Sequence, residues 1–153
     1  MQLLELKVPP PAVAVLIGVA MWFASSSGPS VELPLLVRSL AFGAIALVGG
    51  ATALAGSLAF RRARTTVNPL KPQNAAALVT SGVYRFTRNP MYLGLVIVLF
   101  GWAAFLCSAF AILGPVAFVA YITRFQIVPE ERVLSAKFGA AYSEYLSRVR
   151  RWL

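Results

Sequence analysis

The 153 residues carry 14 Lys and Arg against 5 acids, a net charge of +9, yet only 12% are charged and 59% are hydrophobic. With a mean hydropathy of +0.75, such a chain cannot cover a water-soluble core with polar side chains, so the lipid bilayer is its solvent. One Cys and no His or Asp exclude internal disulfides and the common His/Cys metal centres.

Residues 1–8 hold one Glu and one Lys, and Pro9-Pro10-Pro11 ends any helix before it. The apolar run that follows, about 10–26, predicts a first transmembrane helix. A signal peptide would want a basic segment ahead of it, and there is none. Ser25 to Glu32 is a short polar loop without Lys or Arg. A second apolar run, about 33–60, is long enough to span with tilt or overhang. Arg38 near its start is expected to snorkel or to face the protein interior. Ala46, Gly49, Gly50, Ala53, Gly56 and Ser57 put small residues on its faces, which allows close helix packing within the monomer.

The connection 61–89 is polar and irregular at Asn68-Pro69 and Lys71-Pro72, and it holds six positive charges and no acid. Loops of this length are commonly functional. It ends in Ser81-Gly82, Arg85 and Arg88, then Pro90, which suits the first turn of a helix.

From Pro90 to Val128 the chain is apolar almost throughout. Two short spans, about 90–106 and 109–128, joined near Cys107-Ser108, place the basic loop and the basic C-terminal segment on one side. A single long span would place them on opposite sides, so the positive-inside rule favours the hairpin. Basic residues lying beside the apolar runs also point to anionic headgroups rather than to nucleic acid.

Pro129 then starts a helix of about 129–150, with Glu130 and Glu131 in its first turn, where the helix dipole favours carboxylates. Leu134, Phe138, Tyr142, Tyr145 and Val149 recur at helical spacing. The reading is an all-α integral membrane domain of four transmembrane helices plus an amphipathic C-terminal cap helix. Both termini are cytoplasmic, in what is expected to be a prokaryotic inner membrane.

The hairpin brings the Arg85–Tyr92 stretch beside Glu130-Glu131, with cations on one wall, carboxylates on the other, and lipid next to both. That arrangement is compatible with S-adenosylmethionine and a lipid-soluble acceptor. Methyl transfer asks for alignment and exclusion of water more than for a strong base.

The residues Leu78-Val79-Thr80-Ser81-Gly82-Val83-Tyr84, Arg88-Asn89-Pro90-Met91-Tyr92-Leu93-Gly94, Glu130-Glu131, Leu134, Phe138-Gly139, Tyr142 and Tyr145, in this order, resemble the integral-membrane isoprenylcysteine carboxyl methyltransferases and the related phospholipid methyltransferases. The resemblance covers about residues 70–150. It implies that Ala76, Ala77, Leu78, Val79 and Tyr84 wrap S-adenosylmethionine, and that Asn89, Pro90, Met91 and Tyr92 also contact it. It further implies that Glu130 binds this cofactor, with Glu131 as a second carboxylate. Arg88 and Arg124 are candidates for anion or acceptor recognition. Gln126 stands where the eukaryotic prenylcysteine enzymes carry an Arg that engages the substrate carboxylate. Being neutral, it argues against a prenylcysteine carboxylate as acceptor. Asn89 stands where the family often has His and cannot carry a proton at neutral pH. No residue is assigned as a general base and no metal is expected. A sterol-reductase-like NADPH enzyme and a non-enzymatic membrane protein remain the alternatives.

Overall fold

The computed structural model describes residues 5–65, 70 and 72–153, and among these it contains helices and turns but no strand. The α-helices are α1 (Pro10–Ser25), α2 (Leu35–Arg62), α3 (Pro90–Leu106), α4 (Leu113–Ile122) and α5 (Val128–Arg148). Proline occupies the first or second position of α1, α3 and α5, where its missing N–H costs no helical hydrogen bond. The irregularity expected at Asn68-Pro69 and Lys71 lies outside the described residues, as do residues 1–4.

α2 and α3 pack with their backbones nearly touching. A Cβ on Gly49 would come within 2.6 Å of the Gly94 carbonyl, and one on Gly56 within 2.9 Å of Pro90 Cγ. Gly43 and Gly50 have nothing within 4 Å of such a Cβ, so only one of the small-residue faces serves this contact. Arg38 turns inward. Its Nε donates to the Phe105 carbonyl in the last turn of α3, and its guanidinium lies 4.8 Å from the Phe105 ring centre. A cation there satisfies a free carbonyl and the negative end of the helix dipole.

At one end of the molecule the α1–α2 loop meets the α3–α4 turn. Val31 N–H donates to the Cys107 carbonyl at 2.9 Å, Ala109 N–H donates to Pro29 at 3.1 Å, and Ser30 lies opposite Ser108. Neither connection carries Lys or Arg. The basic end of α2, the 82–89 segment and α5 lie at the other end.

α4 runs into α5 through a π-helical turn, Thr123–Ile127, with helical backbone on both sides, so the cap helix is a continuation of α4 rather than a new start at Pro129. The Phe125 carbonyl in this turn accepts Leu6 N–H at 3.1 Å. α5 itself is interrupted at Gly139, whose φ of 51° and ψ of −124° are not helical. Fully buried Phe118 and Ile122, with Ile127, fill the core against Val13, Met21 and Leu99.

The stretches Leu35–Arg62 and Ala109–Arg148 are long and apolar enough to cross a membrane. α1 and α3 are apolar but shorter, at 16 and 17 residues.

Candidate active site

A pocket opens where the first turn of α3, the first half of α5 and the segment 72–88 converge. Each wall is fixed locally. Thr65 Oγ1 accepts the backbone N–H groups of Ala76 at 2.8 Å and Ala77 at 3.3 Å, which turns the 75–79 segment along the pocket. Lys137 Nζ donates to the Gln73 carbonyl at 2.7 Å and ties that segment to α5. Tyr84 is buried, its ring edge-on to Phe60 at 5.2 Å. Its carbonyl accepts the Tyr145 hydroxyl at 2.8 Å.

Two carboxylates stand side by side in the first turn of α5, in different circumstances. Glu130 Oε1 accepts both the Tyr92 hydroxyl and Gln126 Nε2, each at 2.6 Å. Burial pushes its carboxyl up to about 7, and the two hydrogen bonds partly oppose that rise. Glu131 is held between two guanidinium groups. Arg151 grips it with Nε at 3.0 Å and Nη2 at 2.6 Å, and Arg88 Nη2 lies 3.3 Å away. Arg88 Nε is buried with no hydrogen-bond partner, and its residue lines the pocket. A buried N–H without an acceptor is costly unless a ligand supplies one.

The sequence matches the phospholipid methyltransferase family over residues 37–141, more than half of the chain. The chain belongs to this family. An uncharacterized protein of Haemophilus influenzae is 44% identical over 63 residues, 41% of this chain and all of that protein. Protein-S-isoprenylcysteine O-methyltransferase B of Arabidopsis thaliana is 34% identical over 91 residues, 58% of this chain and 45% of the plant protein. Its counterpart A is 41% identical over 75 residues, 47% of this chain and 36% of the plant protein. The chain therefore spans less than half the length of these plant methyltransferases. No solved structure matches it.

In this phospholipid methyltransferase family member, Ala77, Leu78, Val79, Tyr84, Arg88, Asn89, Met91, Tyr92, Glu130 and Glu131 all line the one pocket. Ala76 is exposed and does not line it; its contribution is the N–H bonded to Thr65. Pro90 is buried against α2 at Gly56. The Asn89 side-chain amide faces away, donating from Nδ2 to the Arg151 carbonyl at 2.9 Å. Gln126 is 2% exposed and sits behind Glu130. Arg124 is remote from the pocket, with Nη1 3.2 Å from Glu5.

Sequence reasoning missed Arg151 and the C-terminal strap that carries it. The carbonyls of Arg150 and Arg151 accept Arg88 N–H at 3.1 Å, Asn89 Nδ2 at 2.9 Å and Thr87 Oγ1 at 3.4 Å. Backbone acceptors leave no trace in residue identity. Tyr142 and Tyr145, to which the sequence assigned no site role, are buried and also line the pocket. Their helical spacing with Leu134 was the available signal.

Proposed function

We propose that the chain transfers the methyl group of S-adenosylmethionine to a lipid-soluble acceptor at the cytoplasmic face of a prokaryotic inner membrane. It would cross that membrane four times with both termini in the cytoplasm. The topology is supported by the pairing of the two connections that lack Lys and Arg at the end opposite the basic segments, as the positive-inside rule demands.

One observation carries the cofactor reading: a carboxylate, Glu130, held at one oxygen by Tyr92 and Gln126 on the wall of a largely apolar pocket. The residues present fit the group. Glu130 would take the ammonium or the ribose hydroxyls, and buried Arg88 Nε would take the carboxylate. The segment from Ala77 to Val79, with Tyr84, Asn89, Met91 and Tyr92, would enclose the remainder. When bound, the cofactor supplies a methyl group on a positively charged sulfur, transferred by in-line displacement. The chain's own share is to align the acceptor and exclude water. Glu131, engaged by Arg88 and Arg151, would orient Arg88 rather than touch the cofactor directly.

The test is calorimetric titration of S-adenosylmethionine, its demethylated product and NADPH into detergent-purified protein and its Glu130→Ala variant. Binding of the first two, lost in the variant, is expected. Binding of NADPH alone would replace the reading with a reductase, and binding of none would leave a non-enzymatic membrane protein.

A further inference from the structure

The joint between α4 and α5 is held by a segment that takes no part in the pocket. Pro129 costs α5 itself no hydrogen bond, but it costs the joint one. The Phe125 carbonyl stands four residues before Pro129, which has no N–H to give it and whose ring crowds a carbonyl at that position. Leu6, ahead of α1, supplies the donor at 3.1 Å. Leu6 does so from the left-handed region, at a φ of 56°, which a residue with a Cβ adopts only at a cost.

Glu5 reinforces the same contact. Its side chain is 12% exposed, with Oε1 3.2 Å from Arg124 Nη1 and Oε2 3.4 Å from Arg132 Nη1. One carboxylate therefore bridges a residue of the π turn to a residue of α5. Between these two anchors lie Gln126 and Glu130, whose side chains meet across the joint at 2.6 Å. That hydrogen bond depends on how far the π turn is rotated against α5. A helical joint that lacks a backbone hydrogen bond is the place where such rotation is easiest.

We propose that Glu5 and Leu6 are positioning residues: they clamp the π turn in the register that presents the Gln126 amide to Glu130, and so prepare the carboxylate for the cofactor without lining the pocket. The cofactor role rests on the methyltransferase reading; the clamp itself does not. Burial pushes the Glu130 carboxyl up to about 7, and the bonds from Gln126 and Tyr92 oppose that rise. Loosening the joint weakens the first of these bonds and moves the carboxyl further up. Arg88, Glu131, Tyr84, Tyr92 and Tyr142 line the same pocket and are left as they are by a change at Glu5.

The experiment follows protonation of Glu130 in the full chain in nanodiscs by infrared spectroscopy. Five Glu and no Asp keep the carboxyl region sparse, and Glu130→Gln identifies the band. In Glu5→Ala the midpoint should rise by about one unit, since a hydrogen bond to a charged group contributes on the order of one to two pKa units. S-adenosylmethionine affinity should then fall about fivefold at pH 7 and hardly at pH 9. The Arg124→Ala/Arg132→Ala double variant should show the same shift, and adding Glu5→Ala to it should add nothing. Glu5→Gln, which keeps the shape and removes the charge, should give a smaller shift in the same direction and serves should Glu5→Ala not fold. Glu144→Ala, which breaks the exposed pair with Arg148 on α5, should leave the midpoint in place. A midpoint unmoved in both Glu5 variants, whatever their thermal stability, would overturn the clamp and leave the methyltransferase reading standing. A shifted midpoint with no cofactor binding by the unaltered chain would overturn the cofactor role through failure of that reading alone.

Discussion

The Tyr92 hydroxyl donates to Glu130 Oε1 over 2.6 Å and so joins the first turn of α3 to the first turn of α5. A hydrogen bond to a charged group contributes about 1.5–3 kcal/mol. Tyr92→Phe keeps the ring and removes that bond, leaving Gln126 as the donor to this oxygen. The carboxylate becomes harder to ionise, and S-adenosylmethionine affinity is expected to fall roughly tenfold at neutral pH. The loss should shrink at pH 8.5, where ionisation is restored. Calorimetry at the two pH values checks this, and equal affinities for variant and parent at both would reduce Tyr92 to a packing residue.

Glu130 also sets a pH dependence with opposite signs in the free and loaded protein. Its carboxyl is raised from 4.5 to about 7, chiefly by burial. Below about 7 it is protonated and cannot pair with an ammonium, so cofactor affinity should weaken as pH falls from 8 to 6. In the free protein the folded chain holds a proton that the unfolded chain releases between about 4.5 and 7. Stability therefore falls as pH rises through that window and levels off above it. Thermal unfolding of Glu130→Gln should lack this fall, and its cofactor affinity should be flat with pH. A parent protein whose affinity is also flat would exclude Glu130 from the cofactor.

Much of this site was legible because it depends on residue types that act locally. Pro90 and Pro129 mark helix starts, and two acids in an acid-poor chain stand out where a helix dipole stabilises them. What escaped depends on register and on the backbone. The π turn at 123–127 adds about one residue to a turn of helix, a rotation of roughly 100°. Arg124 lies on the outer side with Glu5, while Gln126, two residues on and so about 200° round the helix, stays behind Glu130. The break at Gly139 has no flanking turn residues to announce it. The strap is invisible because the Arg150 and Arg151 carbonyls, not their side chains, hold Arg88 and Asn89.

Arg151 pins this strap through its two-pronged contact with Glu131. Arg151→Ala removes the fork and leaves Glu131 to Arg88 alone. The strap should loosen, with tryptic cleavage after Arg148 and Arg150 accelerated about tenfold if holding it closed is worth roughly 1.4 kcal/mol. Cofactor affinity should fall as Arg88 is drawn toward Glu131. Arg151→Lys keeps the charge without the planar fork and should recover only part of both properties. Cleavage rates unchanged in the Ala variant would mean that the backbone bonds to 150 and 151 hold the strap unaided.

The α2–α3 contact predicts a sharp contrast between two glycines. A Cβ at Gly94 would sit 2.5 Å from the Gly49 carbonyl and 2.8 Å from Ala53 Cβ. Backbone atoms cannot yield by changing rotamer, so Gly94→Ala must push the helices apart, at a cost of about 1–3 kcal/mol or more. The same displacement carries Pro90 off Gly56 and moves Tyr92 relative to Glu130, so cofactor binding should be lost together with thermal stability. Gly50→Ala meets nothing within 4 Å and should be neutral or stabilising by about 0.5–1 kcal/mol, the usual helix preference for Ala over Gly. Thermal unfolding and cofactor titration of the two variants side by side decide the matter. Equal stability would show that α2 and α3 do not meet through Gly49 and Gly94.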